Sequence, residues 1–138
     1  MDKLEIIKKC RLYNITNYTI SDDGVVDVDG CVVLYDKNLT KIPIKFGKVS
    51  GYFTCAHNKL TSLKNSPTHV GDDFFCQKNN LTSLSDGPEY VGGDFITDKI
   101  KSSKLTYDNY QDMYIATNYS GLVKSKARNK KISNILGS

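Results

Sequence analysis

From Val28 to Asp98 the apolar and polar positions of the chain recur every 21 residues. The segment VSGYFTCAHNKLTSLKNSP, beginning at Val49, overlays VGDDFFCQKNNLTSLSDGP, beginning at Val70, without a gap. Phe53 falls on Phe74, Cys55 on Cys76, Asn58 on Asn79, Leu60 on Leu81, Leu63 on Leu84 and Pro67 on Pro88. Upstream, VDGCVVLYDKNLTKI keeps the register with Val28, Gly30, Val32, Leu34, Leu39 and Ile42; downstream, VGGDFITDKIKSS keeps only Val91, Gly92, Asp94 and Phe95. Phe and Cys two residues apart share one face of a strand. The repeat therefore predicts short strands at Cys31–Tyr35, Tyr52–Ala56, Asp73–Gln77 and Asp94–Asp98, and the leucines three apart return into the same core after a turn. A unit of this size cannot bury both of its faces alone, so neighbouring units stack and pair their strands in parallel. Decay of the pattern at both ends suits terminal units that close the core.

Asn58 and Asn79 are polar positions beside core positions. An amide carries two donors and an acceptor, so one Asn per coil forms a ladder that satisfies turn backbone groups of its neighbours. Before the array, Asp2–Leu12 places acids early and bases late, which suits a helix dipole, with Leu4, Ile7 and Cys10 on one face and Ile6 beside them. NYTISDDGVVDVDG then reads as strand, turn at Ser21–Gly24, and strand. After the array, Leu105, Tyr107, Tyr110, Met113, Tyr114 and Ile115 predict one or two helical turns over the last coil.

The pattern VxGxFxCxxNxLTSL resembles the strand motif LxxLxLxxNxL of the leucine-rich repeat family, carried by SGYFTCAHNKL from Ser50 and GDDFFCQKNNL from Gly71. Its LTSL element followed by Pro is similar to the short bacterial-type repeats. The whole unit most resembles small leucine-rich repeat proteins encoded by bacteriophages. Ser50 and Gly71 depart from the family's first apolar position, with Val49 and Val70 one residue earlier. The resemblance covers about residues 28–98 and implies an α/β repeat fold: a short leucine-rich repeat solenoid with a parallel sheet of about four strands. Residues 1–27 then form an N-terminal helix and β-hairpin cap, 28–103 the repeats, and 104–138 a C-terminal Tyr-rich capping segment with a basic tail. The implied role is binding of a protein, for a phage accessory protein a host protein. The ubiquitin-ligase domain of large bacterial effector members does not carry over, because the chain is too short to hold it.

Composition narrows the classes. The chain has 138 residues, 39% of them hydrophobic, no Trp and four Cys. No window reaches the roughly 20 apolar residues of a membrane span, and MDKLEIIKKC has no apolar signal core. Four cysteines without a CxxC pair fit a reducing cytoplasm. The net charge of +4 sits entirely in residues 104–138, where Lys124, Lys126, Arg128, Lys130 and Lys131 cluster. A solvated chain end accounts for such a cluster; the functional alternative is a nucleic-acid contact made with Tyr107, Tyr110, Tyr114 and Tyr119 as a stacking platform.

Chemistry is sparse. Cys55 and Cys76 stand one coil apart with side chains inward, as core residues and not metal ligands, since no further ligand shares their face. No HExxH, GxSxG or phosphate-loop motif occurs, so the expectation is no enzyme, no cofactor and no metal. What the register does predict is an outward face. Its columns are Cys31, Tyr52, Asp73, Asp94; then Val33, Thr54, Phe75, Ile96; then Tyr35, Ala56, Gln77, Asp98. A turn column of Asp36, His57, Lys78 and Lys99 follows. The apolar character of the middle column, rimmed by charge, marks an interaction surface with Tyr52, Thr54, His57, Asp73, Phe75, Gln77, Lys78 and Ile96 as contact residues. The face spans roughly 300 Å², whereas a stable interface needs about 500 Å² per partner, so adjoining loops must contribute.

Overall fold

The computed structural model describes residues 1–98 and the backbone of Tyr114–Ala116. One helix, α1 (Lys3–Leu12), opens the chain. Asp2 starts it: its Oδ1 accepts the Glu5 N–H at 2.9 Å, satisfying a donor that the first turn leaves free. Two strands follow, β1 (Tyr18–Ile20) and β2 (Val26–Val28), joined antiparallel through a turn in which the Gly24 N–H meets the Ser21 carbonyl. The strand–turn–strand reading of this region holds.

The chain then winds as a solenoid of about three turns, made of parallel strands. Each turn contributes two strands, not the single one that the spacing suggested. The strands are β3 (Val32–Val33), β4 (Phe46–Val49), β5 (Phe53–Thr54), β6 (His69–Val70), β7 (Phe74–Phe75), β8 (Tyr90–Val91) and β9 (Phe95–Thr97). The first sheet runs β1-β2-β4-β6-β8; the second runs β3-β5-β7-β9 and ends in β10 (Tyr114–Ala116). Val28, Val49, Val70 and Val91 pair successively in the first sheet, and Val32, Phe53, Phe74 and Phe95 in the second, all at a shift of 21. Three residues separate the strands of the two sheets in each turn. The fit there is tight: a Cβ on Gly71 would stand 2.0 Å from the Ser50 carbonyl oxygen, and one on Gly92 would stand 2.1 Å from that of Gly71.

The predicted strand positions carry the second sheet. Backbone bonds extend its ladder past the formal strands, from Val32 N–H to Tyr52, Leu34 to Thr54 and Asp36 to Ala56, and again from Phe53 to Asp73, Cys55 to Phe75 and His57 to Gln77. Inward columns form one core. Phe53 and Phe74 stack at 5.6 Å and 8°, Phe74 and Phe95 at 5.2 Å and 27°, and such pairs contribute about 0.5–1.5 kcal/mol each beyond area burial. Leu34, Cys55 and Cys76 are fully buried, and Leu60, Leu63, Leu81 and Leu84 close the return side.

Ile6, Cys10 and Ile15 join the same core, but Leu4 is 60% exposed. The inward face of α1 is thus Ile6–Cys10, not Leu4–Ile7–Cys10; Ile6 and Cys10 are four apart and lie one above the other. Helical turns were expected around Met113–Ile115; instead Tyr114–Ala116 is a strand, antiparallel to β9 with Ile115 opposite Ile96. The rest of the Tyr-rich segment and the basic cluster lie outside the described residues. Among those residues no helix is long and apolar enough to cross a membrane.

Candidate functional site

The asparagine ladder holds the edge of the candidate face. Asn58 Nδ2 donates to the carbonyls of Leu34, Cys55 and Ala56, and its Oδ1 accepts from the N–H groups of Lys37 and Leu39. Asn79 repeats the arrangement one coil on, donating to Cys55, Cys76 and Gln77 and accepting from Leu60. In the following coil Asp98 takes the acceptor role for the Lys78 and Asn79 N–H groups. The turn so fixed places Asp36, His57 and Lys78 in the left-handed region, with φ of 54°, 58° and 61°. Their side chains consequently project from a rigid corner at the end of the second sheet.

The outward side chains of that sheet come together unevenly. Tyr52 is exposed and meets the half-buried Phe75 edge-on at 6.3 Å; Tyr35 and His57 pack at 4.9 Å. Tyr52 and Phe75 form a diagonal cross-strand pair within reach of aromatic rings, and Tyr35 meets the ring at the turn of the next coil. Ile96 and Gln77 are half-buried beside them, and Lys78 is exposed. Val33 and Tyr35, at 45% and 47% exposure, extend the patch to the first coil. Two expected contact residues are spoken for. Thr54 is only 8% exposed, and its hydroxyl accepts the Ala56 N–H at 3.3 Å. Asp73 is half-buried with its Oδ1 on the Asp94 N–H at 2.8 Å, tying one coil to the next. Lys124, Lys126, Arg128, Lys130 and Lys131 lie outside the described residues.

The cysteines divide as their register requires. Burial pushes the Cys55 thiol well above its ordinary value, with neighbouring Cys76 adding to the rise. Burial pushes Cys76 up to about 12, against the opposing effect of the Thr97 hydroxyl. Cys10 is also raised by burial, and Cys31 is exposed. Buried thiols so raised hold little thiolate, the form that attacks electrophiles and binds metals. Among the described residues no group of three or more His, Cys, Asp or Glu is placed to hold a metal ion.

A second concavity was missed by the sequence reading. The outward face of the first sheet bears a groove of about 410 Å³ lined by Asp27, Lys48, His69 and Tyr90 with Asn17, Thr19, Asp29 and Ser50 over a valine and glycine floor. His69 and Tyr90 stack at 6.0 Å. The signal was present: Asp27, Lys48, His69 and Tyr90 stand 21 apart, each one residue before a core valine, and alternation turns them outward once that valine is recognised as a strand residue.

Comparison with protein-family models, with curated proteins and with solved structures finds no match for this chain.

Proposed function

We propose that the protein is a non-enzymatic binding module of the leucine-rich repeat kind, whose second sheet presents its outward face to a protein partner. The observation that carries this reading is the patch of Val33, Tyr35, Tyr52, Phe75 and Ile96, aromatic and aliphatic side chains that share one outward surface although the core does not require them there. Interface centres are rich in Tyr and Phe, and contiguous apolar patches of this kind mark interaction sites. His57 and Lys78, projecting from the turn column, supply the polar rim. In this reading α1 and the β1–β2 hairpin cap the array. The resemblance of residues 28–98 to phage-encoded repeat proteins makes the partner a host protein and the host cytoplasm the site of action.

The test is capture of partners from nuclease-treated bacterial lysate, followed by titration of the purified partner against wild type and the Phe75→Asp/Ile96→Asp variant. The reading expects a defined complex with wild type and its loss with the variant, at an unchanged circular-dichroism melt. A complex indifferent to the variant overturns it. So does one seen only in untreated lysate and dispersed by high salt, which assigns binding to the basic cluster and nucleic acid.

A further inference from the structure

Each sheet has four parallel strands and one antiparallel strand, and the antiparallel strands stand at opposite ends. β1 finishes the first sheet beside the first turn; β10 finishes the second beside the last. The outer side of the Asp94–Asp98 strand is therefore taken by β10. At the other end of the second sheet β3 is an edge strand among the described residues.

The backbone of that edge is legible from its ladder. Val32, Leu34 and Asp36 direct their N–H groups to the second coil, at 3.0, 2.8 and 3.1 Å. Backbone groups alternate in direction along a strand, so those of Cys31, Val33 and Tyr35 point away from the sheet. Exposed edges are ordinarily blunted by Lys, Pro, a bulge or a covering segment. The sequence CVVLY from Cys31 to Tyr35 has no such residue, and Val33 and Tyr35 are nearly half exposed. Charge brackets the strand. Asp27, Asp29 and Asp36 stand against Lys37 alone between residues 27 and 37, and Asp29 and Asp36 are exposed at the two ends of the edge.

We infer that the β3 edge is a strand-addition site for an extended peptide segment of another protein, with β-branched residues at alternate positions and basic residues at its ends. Such a segment pairs with the backbone of Cys31, Val33 and Tyr35, sets apolar side chains beside Val33 and Tyr35, and brings its basic ends to Asp29 and Asp36. Backbone pairing supplies affinity, and the alternate side chains supply selectivity. The second sheet already accepts an antiparallel strand of this apolar kind at its far edge, in the Tyr-Ile-Ala of β10.

The probe is a fluorescein-labelled peptide, KVTVTVK, titrated by anisotropy against the full chain. Saturable binding is expected, weakened at least tenfold in EVTVTVE. Two further peptides carry backbone N-methyl groups, one on residues 2, 4 and 6 and one on residues 3 and 5. Only one of these sets faces β3, so one peptide is expected to lose binding at least tenfold and the other to keep it. The Val33→Pro variant removes an N–H that the fold does not use and is expected to weaken KVTVTVK by the same factor, while Phe75→Asp/Ile96→Asp leaves it unchanged. Absence of saturable binding, equal loss in both methylated peptides, or equal affinity for EVTVTVE overturns the inference. The methylated pair decides the matter even if Val33→Pro fails to fold, and loss of KVTVTVK binding in Phe75→Asp/Ile96→Asp would move the peptide to the outward face instead.

Discussion

Replacing Asn58 by Ala tests the ladder at its most buried point. Asn58 is 9% exposed and makes five hydrogen bonds to backbone groups, reaching both the preceding coil and its own. The Cys55 carbonyl keeps a second donor in Asn79, so the groups that lose most are the buried Leu34 carbonyl and the N–H groups of Lys37 and Leu39. A buried polar group left unpaired costs about 1–3 kcal/mol. The two N–H groups lie near solvent and recover part of this from water, which gives a total of about 3 kcal/mol. Against the usual stability of about 5–15 kcal/mol this is a large fraction, and it lowers Tm by about 10 °C in a domain of this size. Asn79 makes four comparable bonds but is only half-buried, so Asn79→Ala costs about 2 kcal/mol. Adjacent Asn80 is exposed and uses its backbone, not its side chain, against Leu60; Asn80→Ala changes stability by less than about 0.5 kcal/mol. Asn58→Asp keeps the acceptor and turns a carboxylate toward three carbonyls, so it costs at least as much as Asn58→Ala. Urea unfolding of the four variants gives the order directly. If Asn58→Ala matches Asn80→Ala, the ladder does not stabilise the solenoid and the physical reading of the repeat asparagine is wrong.

Three further outcomes follow from the coil packing. Gly71→Ala destabilises by about 1–3 kcal/mol or more, because its Cβ meets backbone and not a side chain that can swing away; urea unfolding that matches wild type excludes the tight bend. In the native protein Cys31 reacts with a thiol reagent, while Cys10, Cys55 and Cys76 react only on unfolding, which labelling with and without denaturant and mass mapping reads out; rapid labelling of Cys55 or Cys76 in the folded state contradicts the packed core. The raised Cys76 value also sets a pH dependence. The unfolded thiol titrates near 9.0 and the folded one near 12, so between these values the unfolded state holds fewer protons and stability falls as pH rises. At pH 10 the loss is about 1.4 kcal/mol from this thiol, seen as a steeper alkaline decline in wild type than in Cys76→Ala; parallel declines refute the linkage.

How much of the fold the sequence carries is clearest at Val49 and Val70. The 21-residue period fixed the pairing of Phe53 with Phe74, the inward cysteines and the asparagine turn, because each depends on spacing alone. Val49 and Val70 carry no strand signal of their own, since a valine followed by Ser-Gly or Gly-Asp gives no alternation long enough to announce a strand. Two-residue strands exist here because neighbouring coils hold them in register, a tertiary cause without a local signal. Missing that strand also hid the groove, whose lining becomes outward only once the valines point in. Thr54 is a further departure: alternation sends its side chain outward, yet it is buried and its hydroxyl accepts the Ala56 N–H two residues on. At Tyr114–Ala116 the spacing of Leu105, Tyr107, Tyr110, Met113, Tyr114 and Ile115 suggests helical turns, and the antiparallel pairing with β9, a tertiary contact, makes these three residues a strand instead.

The distribution of variation along the coils is itself an argument about what the surface is for. Inward columns tolerate almost no change: four valines in one, Val and three Phe in another, Leu, two Cys and Thr in a third. Each must fill the same space above and below, so a different volume in one coil is felt by both neighbours. The outward columns vary more, and the middle one, Val33, Thr54, Phe75 and Ile96, differs in every coil. Under the proposed function the solenoid separates the residues that hold it together from those offered to a partner, so substitutions at Tyr52, Phe75 or Ile96 are expected to alter binding with little effect on stability, whereas Phe74, one residue away, is expected to do the reverse. Phe74→Ala removes a ring stacked on both sides and costs about 3–5 kcal/mol, while Phe75→Asp on the adjoining outward position stays near neutral in stability. A comparison of the two by urea unfolding measures that separation; equal destabilisation would mean that Phe75 belongs to the core and that the outward face is not available to a partner.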